Sequence, residues 1–428
     1  MNKNQNAQKL IDYLYASPTA FQATQNATSM LLKNDFVQLF EHDTWHLQKG
    51  KKYFITKNDS SFVAFVLGTD NIEASGIKAI AAHTDSPAFA IKPNPEIIKD
   101  KHIKLNTAPY GGVIMYTWFD RPLAIAGRVM LHSDDIYKPA SHLININKPL
   151  LIIPSLAIHL NRDVNKGYEL NPQIDTLPFA ALVNAELEKN DYLYSMLTDE
   201  LDCKKEDILD FELKLYEYEK GCLVGNEQEF ISSSRLDDLW MVYAGLDAIL
   251  NAKPQPFTQM LYCPDNEEIG SLTPQGAQST FLSHIIRRIT PSFEAYHKAL
   301  SNSYFISADL GHATNPNYPK KDDITTKTTL GEGPVLKYSP MQKYATNSYS
   351  AAIFKSLCQK AQVPMQSYIT RSDVMGGSTI GSFIGVSLGA NIVDMGMAVM
   401  GMHSIRELAS VNDNEYVLKL FNTFYSQT

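Results

Sequence analysis

The feature that most restricts the fold is a change of periodicity along the chain. Between about Leu10 and Asn34, in LIDYLYASPTAFQATQNATSMLLKN, apolar residues recur at helical spacing, with Pro18 marking a break. KKYFITKNDSSFVAFVLG then reads as two strands joined by the turn signal Asn58-Asp59-Ser60. SGIKAIAAHTDSP is a short apolar strand that stops at a polar turn carrying His83 and Asp85. From roughly Ala88 to Asn226 the character differs: VIMYTWF, LAIAGRVML, LLIIPSLAIHL and FELKLYEYE alternate with Pro, Gly, Asn and Asp turns. Helical signal there is limited to FAALVNAELEKNDYLYSML.

After that block, helix and strand alternate to the end. SSSRLDDLWMVYAGLDAILNA begins with serines suited to an N-cap and lines Leu236, Leu239, Val242, Tyr243, Leu246 and Ile249 along one face. FTQMLYC and SYFISAD are strands, and ANIVDMGMAVMGMHSIRELAS is expected to enter a last helix just after His403. The pattern predicts an α/β fold with a mostly parallel sheet covered by helices, formed by residues 1–88 and 227–428, and a β-rich domain, 89–226, inserted into it.

Composition narrows the function classes. A chain of 428 residues is too long for one ordinary core, and 44% hydrophobic with 20% charged residues describes a globular protein rather than a disordered one. The net charge of −8, with no dense Lys/Arg cluster, leaves nucleic acid and anionic membranes without an electrostatic footing, so neither is an expected partner. The N-terminal stretch lacks the continuous apolar core of a signal peptide and no stretch is long enough to span a bilayer, so a cytoplasmic protein is expected. Cys203, Cys222, Cys263 and Cys358 show neither C-x-x-C nor disulfide spacing and are expected to be reduced and mostly buried.

Functional groups of open α/β sheets gather at the carboxyl ends of the strands, and His83, Asp85, Glu267, Glu268, Asp309 and His403 fall there. One such residue is ordinarily a cap or turn residue; several on different strand ends suggest a common site. Two His with several carboxylates and no Cys form a mixed N/O set suited to Zn²⁺, Co²⁺ or Mn²⁺. Paired ions require a bridging carboxylate. Asp237 can supply it, Asp238 competes for that role, and both also read as favourable acids at a helix N-terminus. In YCPDNEEIGS the adjacent Glu267 and Glu268 fit a site where one binds metal and the other moves a proton, or simply a solvated loop.

AAHTDSP, IPSLAIHLNR, SSRLDDL, NEEIGS, SADLGHA, KYATN and MHSIRE, in this order and at these separations, resemble the M18 family of metallopeptidases, the aspartyl aminopeptidases, over nearly the whole chain. The resemblance implies a zinc-peptidase catalytic domain with two Zn²⁺ per subunit. His83 and Asp309 would hold one ion, Glu268 and His403 the other, and Asp237 would bridge them. Glu267 would be the general base, with Asp85 orienting His83. The substrates would be peptides with a free N-terminus, cleaved after Asp or Glu. The family's hollow tetrahedral dodecamer implies a large homo-oligomer, with the β-rich insert supplying contacts and completing a neighbouring active site.

Further positions follow from the same resemblance. His159 in the insert would reach a neighbouring subunit's active site, although a strand histidine facing a polar partner is the plainer reading. Lys337 would meet the acidic side chain of the substrate, since a net-negative protein needs a local cation for acid selectivity. His312 is another active-site position, while Asn315 stands where the family often has a second histidine. RSDVMGGSTIG lacks the spacing and lysine of a phosphate loop; close approach to a peptide suits it better, with Asp373 or Ser378 lining the pocket. Met375, Met395, Met397, Met400 and Met402 read as core and strand fillers. Two rivals remain: the same enzyme with a preference for neutral residues such as Leu, and an oligomeric shell or binding protein without catalysis. A metal phosphoesterase has no support beyond the carboxylates.

Overall fold

In a computed structural model that describes residues 3–183 and 191–427, the strand-forming runs assemble into separate sheets belonging to two compact units. The first unit comprises 1–86, 221–402 and 407–428; the second comprises 87–220 and 403–406. Cys222–Val224 pairs with Phe230–Ser233, which pairs with Glu407–Ser410, so the chain re-enters the first unit before Asn226.

The first unit is built on a nine-stranded mixed sheet. Its central strands, Thr258–Cys263, Ile77–Ala81, Tyr304–Ala308 and Asn391–Gly396, are mutually parallel. They are short and almost continuously apolar because helices cover both faces. Helices Lys3–Ala16, Ala20–Leu32, Leu236–Asn251, Ser348–Ala361 and Val411–Ser426 share one core, and Phe281–Ile289, Phe293–Ser301 and Ile380–Leu388 share the other. The register sets Tyr262 beside Ala81, Ala81 beside Ser307, and Ala308 beside Met395. Three strands therefore finish level, and the segments carrying His83, Glu267 and Asp309 leave one edge of the sheet together. Lys52–Lys57 and Ser61–Val66 form the expected hairpin, with Asn58 and Asp59 in the left-handed region that its turn requires.

The second unit contains a six-stranded antiparallel sheet, including Leu123–Leu131 and Ile208–Glu217, around a core of Phe89, Trp118, Ile125, Leu213 and Leu215. VIMYTWF, expected as a strand, contains the 3₁₀ turn Met115–Trp118, where the Thr117 hydroxyl donates to the Ile114 carbonyl and so satisfies the backbone locally. LLIIPSLAIHL keeps only isolated bridges at Ile152 and Ile153 beyond the strand end at Leu151, and Pro154 and the turns after it keep exposed His159 outside any strand. Of the helical stretch expected around FAALVNAELEKNDYLYSML, Phe179–Leu182 is a strand and Tyr192–Leu201 a helix; residues 184–190 lie outside the described residues.

Other local expectations change for physical reasons. The last helix does not start after His403: Glu407–Ser410 pairs as a strand, and the helix begins at Val411, capped by the Ser410 side chain. The serines before Leu236 do not cap their helix, because Ser233 is in a strand and the cap position falls to Arg235. Met395 and Met397 are buried, whereas Met375 is 91% exposed and fills no core. Cys263 and Cys358 are buried, Cys203 is half-buried and Cys222 exposed. Among the described residues no helix is long and apolar enough to cross a membrane.

Candidate metal centre

The level strand ends collect acidic side chains around one histidine. Beyond Ala81 the chain is pinned to the neighbouring strand: Ala82 N–H donates to the Tyr262 carbonyl at 3.1 Å and Thr84 N–H to the Pro264 carbonyl at 2.9 Å. This fixes the turn in which His83 and Asp85 are both fully enclosed. His83 Nδ1 lies 3.0 Å from the Asp85 carbonyl and 3.3 Å from its Oδ1, while Nε2 faces Asp237 Oδ1 at 3.5 Å. With Nδ1 hydrogen-bonded to these acceptors, Nε2 is the nitrogen presented to the carboxylates.

Asp85 also organises the Glu pair. Its Oδ1 accepts from Glu267 N–H at 3.0 Å and its Oδ2 from Glu268 N–H at 3.2 Å. The pair occupies a 3₁₀ turn, Glu267–Ile269, entered through Asn266 in the left-handed region. Asn266 Oδ1 accepts from the Thr273 hydroxyl and the Gln275 amide, holding that entry. Both backbone amides being held from one side leaves the two side chains free to project differently.

Asp237 and Asp238 have non-helical φ/ψ values of −79°, 110° and −119°, 16°, and the peptide bond between them is cis. By their φ/ψ values neither is an ordinary acid of a helical first turn. Asp237 N–H donates to Glu407 Oε2 at 3.1 Å and its carbonyl accepts from the Ser86 hydroxyl at 2.7 Å. Asp238 Oδ2 accepts from His83 N–H at 3.1 Å. Asp309 completes the group from the third strand end. Its backbone so closely approaches Gly396 that a Cβ there would lie 1.8 Å from the Asp309 carbonyl oxygen.

Donor atoms of His83, Asp237, Asp238 and Asp309 lie within 4.8 Å of one another, as do those of His83, Glu267 and Glu268. Burial penalises charge here, and the pKa directions record the conflict. Burial alone would lower that of His83, but the Asp237 hydrogen bond, the Asp238 charge, the Asp85 hydrogen bond and the Glu267 charge hold it well above normal. Burial pushes Asp238 well up against the opposing pull of His83. Burial likewise raises Glu267 to about 7, helped by the charges of Asp309, Asp85 and Asp237. Asp309 is raised by burial, although Lys337, whose Nζ lies 3.4 Å from its Oδ1, works in the other direction. Carboxylates concentrated in a desolvated place with one imidazole form the hard, mixed N/O donor set that a divalent cation such as zinc would satisfy.

Lys337 is buried rather than facing open solvent. Burial would lower its pKa, but Asp309, Tyr344 and Asp394 hold it above the ordinary value. His312 is exposed, with its ring centroid 6.2 Å from that of Tyr368. Asp373 is clamped bidentately by Arg371 at 2.8 and 2.7 Å, beside a cavity of about 630 Å³ bordered also by Tyr338, Tyr344, Thr370 and Met375. His159 and His403 belong to the second unit, where His403 has φ +68° and its Nδ1 lies 3.1 Å from the Gly112 carbonyl oxygen. Asp238 and Glu407 are larger parts of the site than the sequence suggested; the signal for Glu407 was its place in MHSIRE.

Comparison with known proteins agrees with this chemistry. Residues 13–425 match the family described as Aminopeptidase I zinc metalloprotease (M18). The chain is 49% identical over 430 residues to a probable M18 family aminopeptidase 2 of Clostridium novyi (strain NT), covering 99% of each protein. A chain in the cryo-EM structure of the Ape4 and Nbr1 complex superposes with TM-score 0.94 at 33% identity, covering 99% of this chain and 86% of that one. The S. cerevesiae mApe1 dodecamer superposes with TM-score 0.86 at 25% identity, covering 99% and 97%.

Proposed function

The chain belongs to the M18 family of zinc metalloproteases, and from that premise we propose that it is a dizinc aminopeptidase removing N-terminal Asp or Glu from peptides. The observation that carries the reading is geometric: donor atoms of His83, Glu267 and Glu268 lie within 4.8 Å of one another, with both glutamate N–H groups held by Asp85, and burial pushes the Glu267 carboxyl up towards neutrality, where it can exchange a proton. His83 Nε2 and Asp309 would hold one ion and Glu268 the other, with Asp237 serving both. The ligand role of His403 is carried over from the family resemblance. When bound, zinc supplies a Lewis acid that polarises the scissile carbonyl and makes water a better nucleophile near neutral pH. Glu267 would accept a proton from the attacking water and deliver it to the departing amine. Asp85 holds His83 and both glutamate backbones in register for these tasks.

Lys337 is assigned to the acidic side chain of the first residue. Its ion pair with Asp309 supports a second reading, in which its charge is already engaged and neutral residues such as Leu are preferred. His159, His312 and Asp373 are retained as substrate-contacting candidates from the resemblance. The second unit is proposed to mediate assembly into a homo-oligomer, a dodecamer by analogy with the S. cerevesiae structure. Its strongly exposed Ile136, Tyr137, Leu160 and Ile174 support an interface there. The test is the initial hydrolysis rate of matched Asp-, Glu- and Leu-terminated peptides before and after chelation, with zinc then restored. Chelator-sensitive release of Asp and Glu upholds the reading. Preference for Leu replaces the specificity, and no release from any peptide refutes the enzyme assignment.

A further inference from the structure

Asp394 is a fully buried carboxylate for which the proposed chemistry has no use. It lies in the strand Asn391–Gly396, beside Ser307. The antiparallel register Val335↔Gly396, Leu336↔Met395 brings the next residue of each strand, Lys337 and Asp394, to the same level. Asp394 Oδ1 accepts from the Thr379 hydroxyl at 2.6 Å and Oδ2 from Ala345 N–H at 2.5 Å. Its backbone N–H donates to the Thr346 hydroxyl oxygen at 2.9 Å. One side chain thus ties together the residue preceding helix Ile380–Leu388 and the segment leading into helix Ser348–Ala361.

These bonds give a physical reason for the Gly-rich run. A Cβ on Gly381 would lie 2.4 Å from Asp394 Oδ1, so glycine is needed where the carboxylate approaches the helix. The other grip reaches the candidate site. Tyr344, next to the bound Ala345, has its ring centroid 5.5 Å from Lys337 Nζ, and that ammonium is 3.4 Å from Asp309 Oδ1. The Asp394 charge acts on both Lys337 and Asp309. A buried ammonium requires a counter-charge, and a carboxylate engaged by a metal has less of its own to offer.

We propose that Asp394 is a positioning residue: by gripping Ala345, Thr346 and Thr379 it holds Tyr344 and the Lys337 ammonium where Lys337 selects an acidic first residue. This rests on the reading of Lys337 as the acid-selecting cation. Asp394→Asn keeps the shape but removes the charge and one acceptor, and Thr379→Val removes one hydrogen bond with little change of volume.

The test is the ratio of kcat/KM for Asp- and Leu-terminated peptides in the zinc-loaded parent, D394N, T379V and K337M, with zinc content and thermal unfolding followed in each. Loss of one charge-assisted hydrogen bond corresponds to about tenfold. D394N should lower the Asp/Leu ratio by about that factor, T379V should lower it less, and D394N added to K337M should not lower it further. A ratio unchanged in D394N and T379V, or equal losses for both peptides, overturns the proposal. If D394N fails to fold, T379V decides. A ratio unchanged in K337M overturns the premise about Lys337 itself, a failure distinct from one confined to Asp394.

Discussion

Asp85→Asn removes one carboxylate and should disturb three groups at once. In the structure its Oδ1 serves Glu267 N–H at 3.0 Å and lies 3.3 Å from His83 Nδ1, while Oδ2 serves Glu268 N–H at 3.2 Å. An asparagine has one oxygen. Kept at the Oδ1 position, it turns an NH₂ towards the Glu268 N–H; reversed, it abandons both Glu267 N–H and His83 Nδ1. The first arrangement is cheaper, losing one charge-assisted bond and leaving a buried donor facing a donor, together about 3 kcal/mol. Relief of repulsion between Asp85 and Glu267 offsets part of this cost. The retained oxygen is now a neutral amide and orients His83 less firmly, so zinc affinity should fall by about tenfold, roughly 1.4 kcal/mol, the low end of the effect of losing such an outer partner outright. Zinc competition against a fluorescent chelator, thermal unfolding of the metal-free protein and kcat on one peptide measure the three effects. Parent-like affinity, stability and kcat in a folded D85N protein would refute the clamp.

Glu267→Gln should retain zinc while losing about 10²–10⁴-fold in kcat, as expected for a proton-transferring group; hydrolysis at the parental rate would sink the assignment. Chelation should lower the thermal midpoint because the carboxylates lose their counter-charge. Zinc at 100 times its Kd should restore about 2.7 kcal/mol, and a midpoint insensitive to both treatments would contradict a buried metal site. Asp413 accepts from the Gly331 and Gly333 N–H groups, yet burial raises its pKa from 3.8 to about 7. The folded chain therefore holds this proton more tightly than the unfolded chain. The resulting stabilisation, at most about 4 kcal/mol, is complete below pH 4 and disappears as pH rises through 7. Urea midpoints at pH 5 and pH 8 should fall with pH more in the parent than in D413N; equal slopes would exclude the effect.

The sequence by itself determined the alternation that makes the main sheet, because buried parallel strands must be short apolar runs and the helices covering them must be amphipathic. It also determined which residues stand at strand ends, since His83, Glu267 and Asp309 each come within four residues of such a run. The lateral register that sets Ala81, Tyr262 and Ser307 level was not readable there: it comes from pairing between strands far apart in the chain. The same distinction explains the local errors. The backbone at Asp237 and Asp238 departs from its helix where it bonds Ser86 and Glu407, and MHSIRE leads into a strand because Phe230–Ser233 provides a partner. Asp394 was invisible as a polar residue in an apolar strand until folding brought Thr379, Ala345 and the missing Cβ of Gly381 around it. Local pattern selects elements and their chemistry, whereas burial, counter-charge and the roles of neighbouring carboxylates depend on distances that only tertiary packing sets.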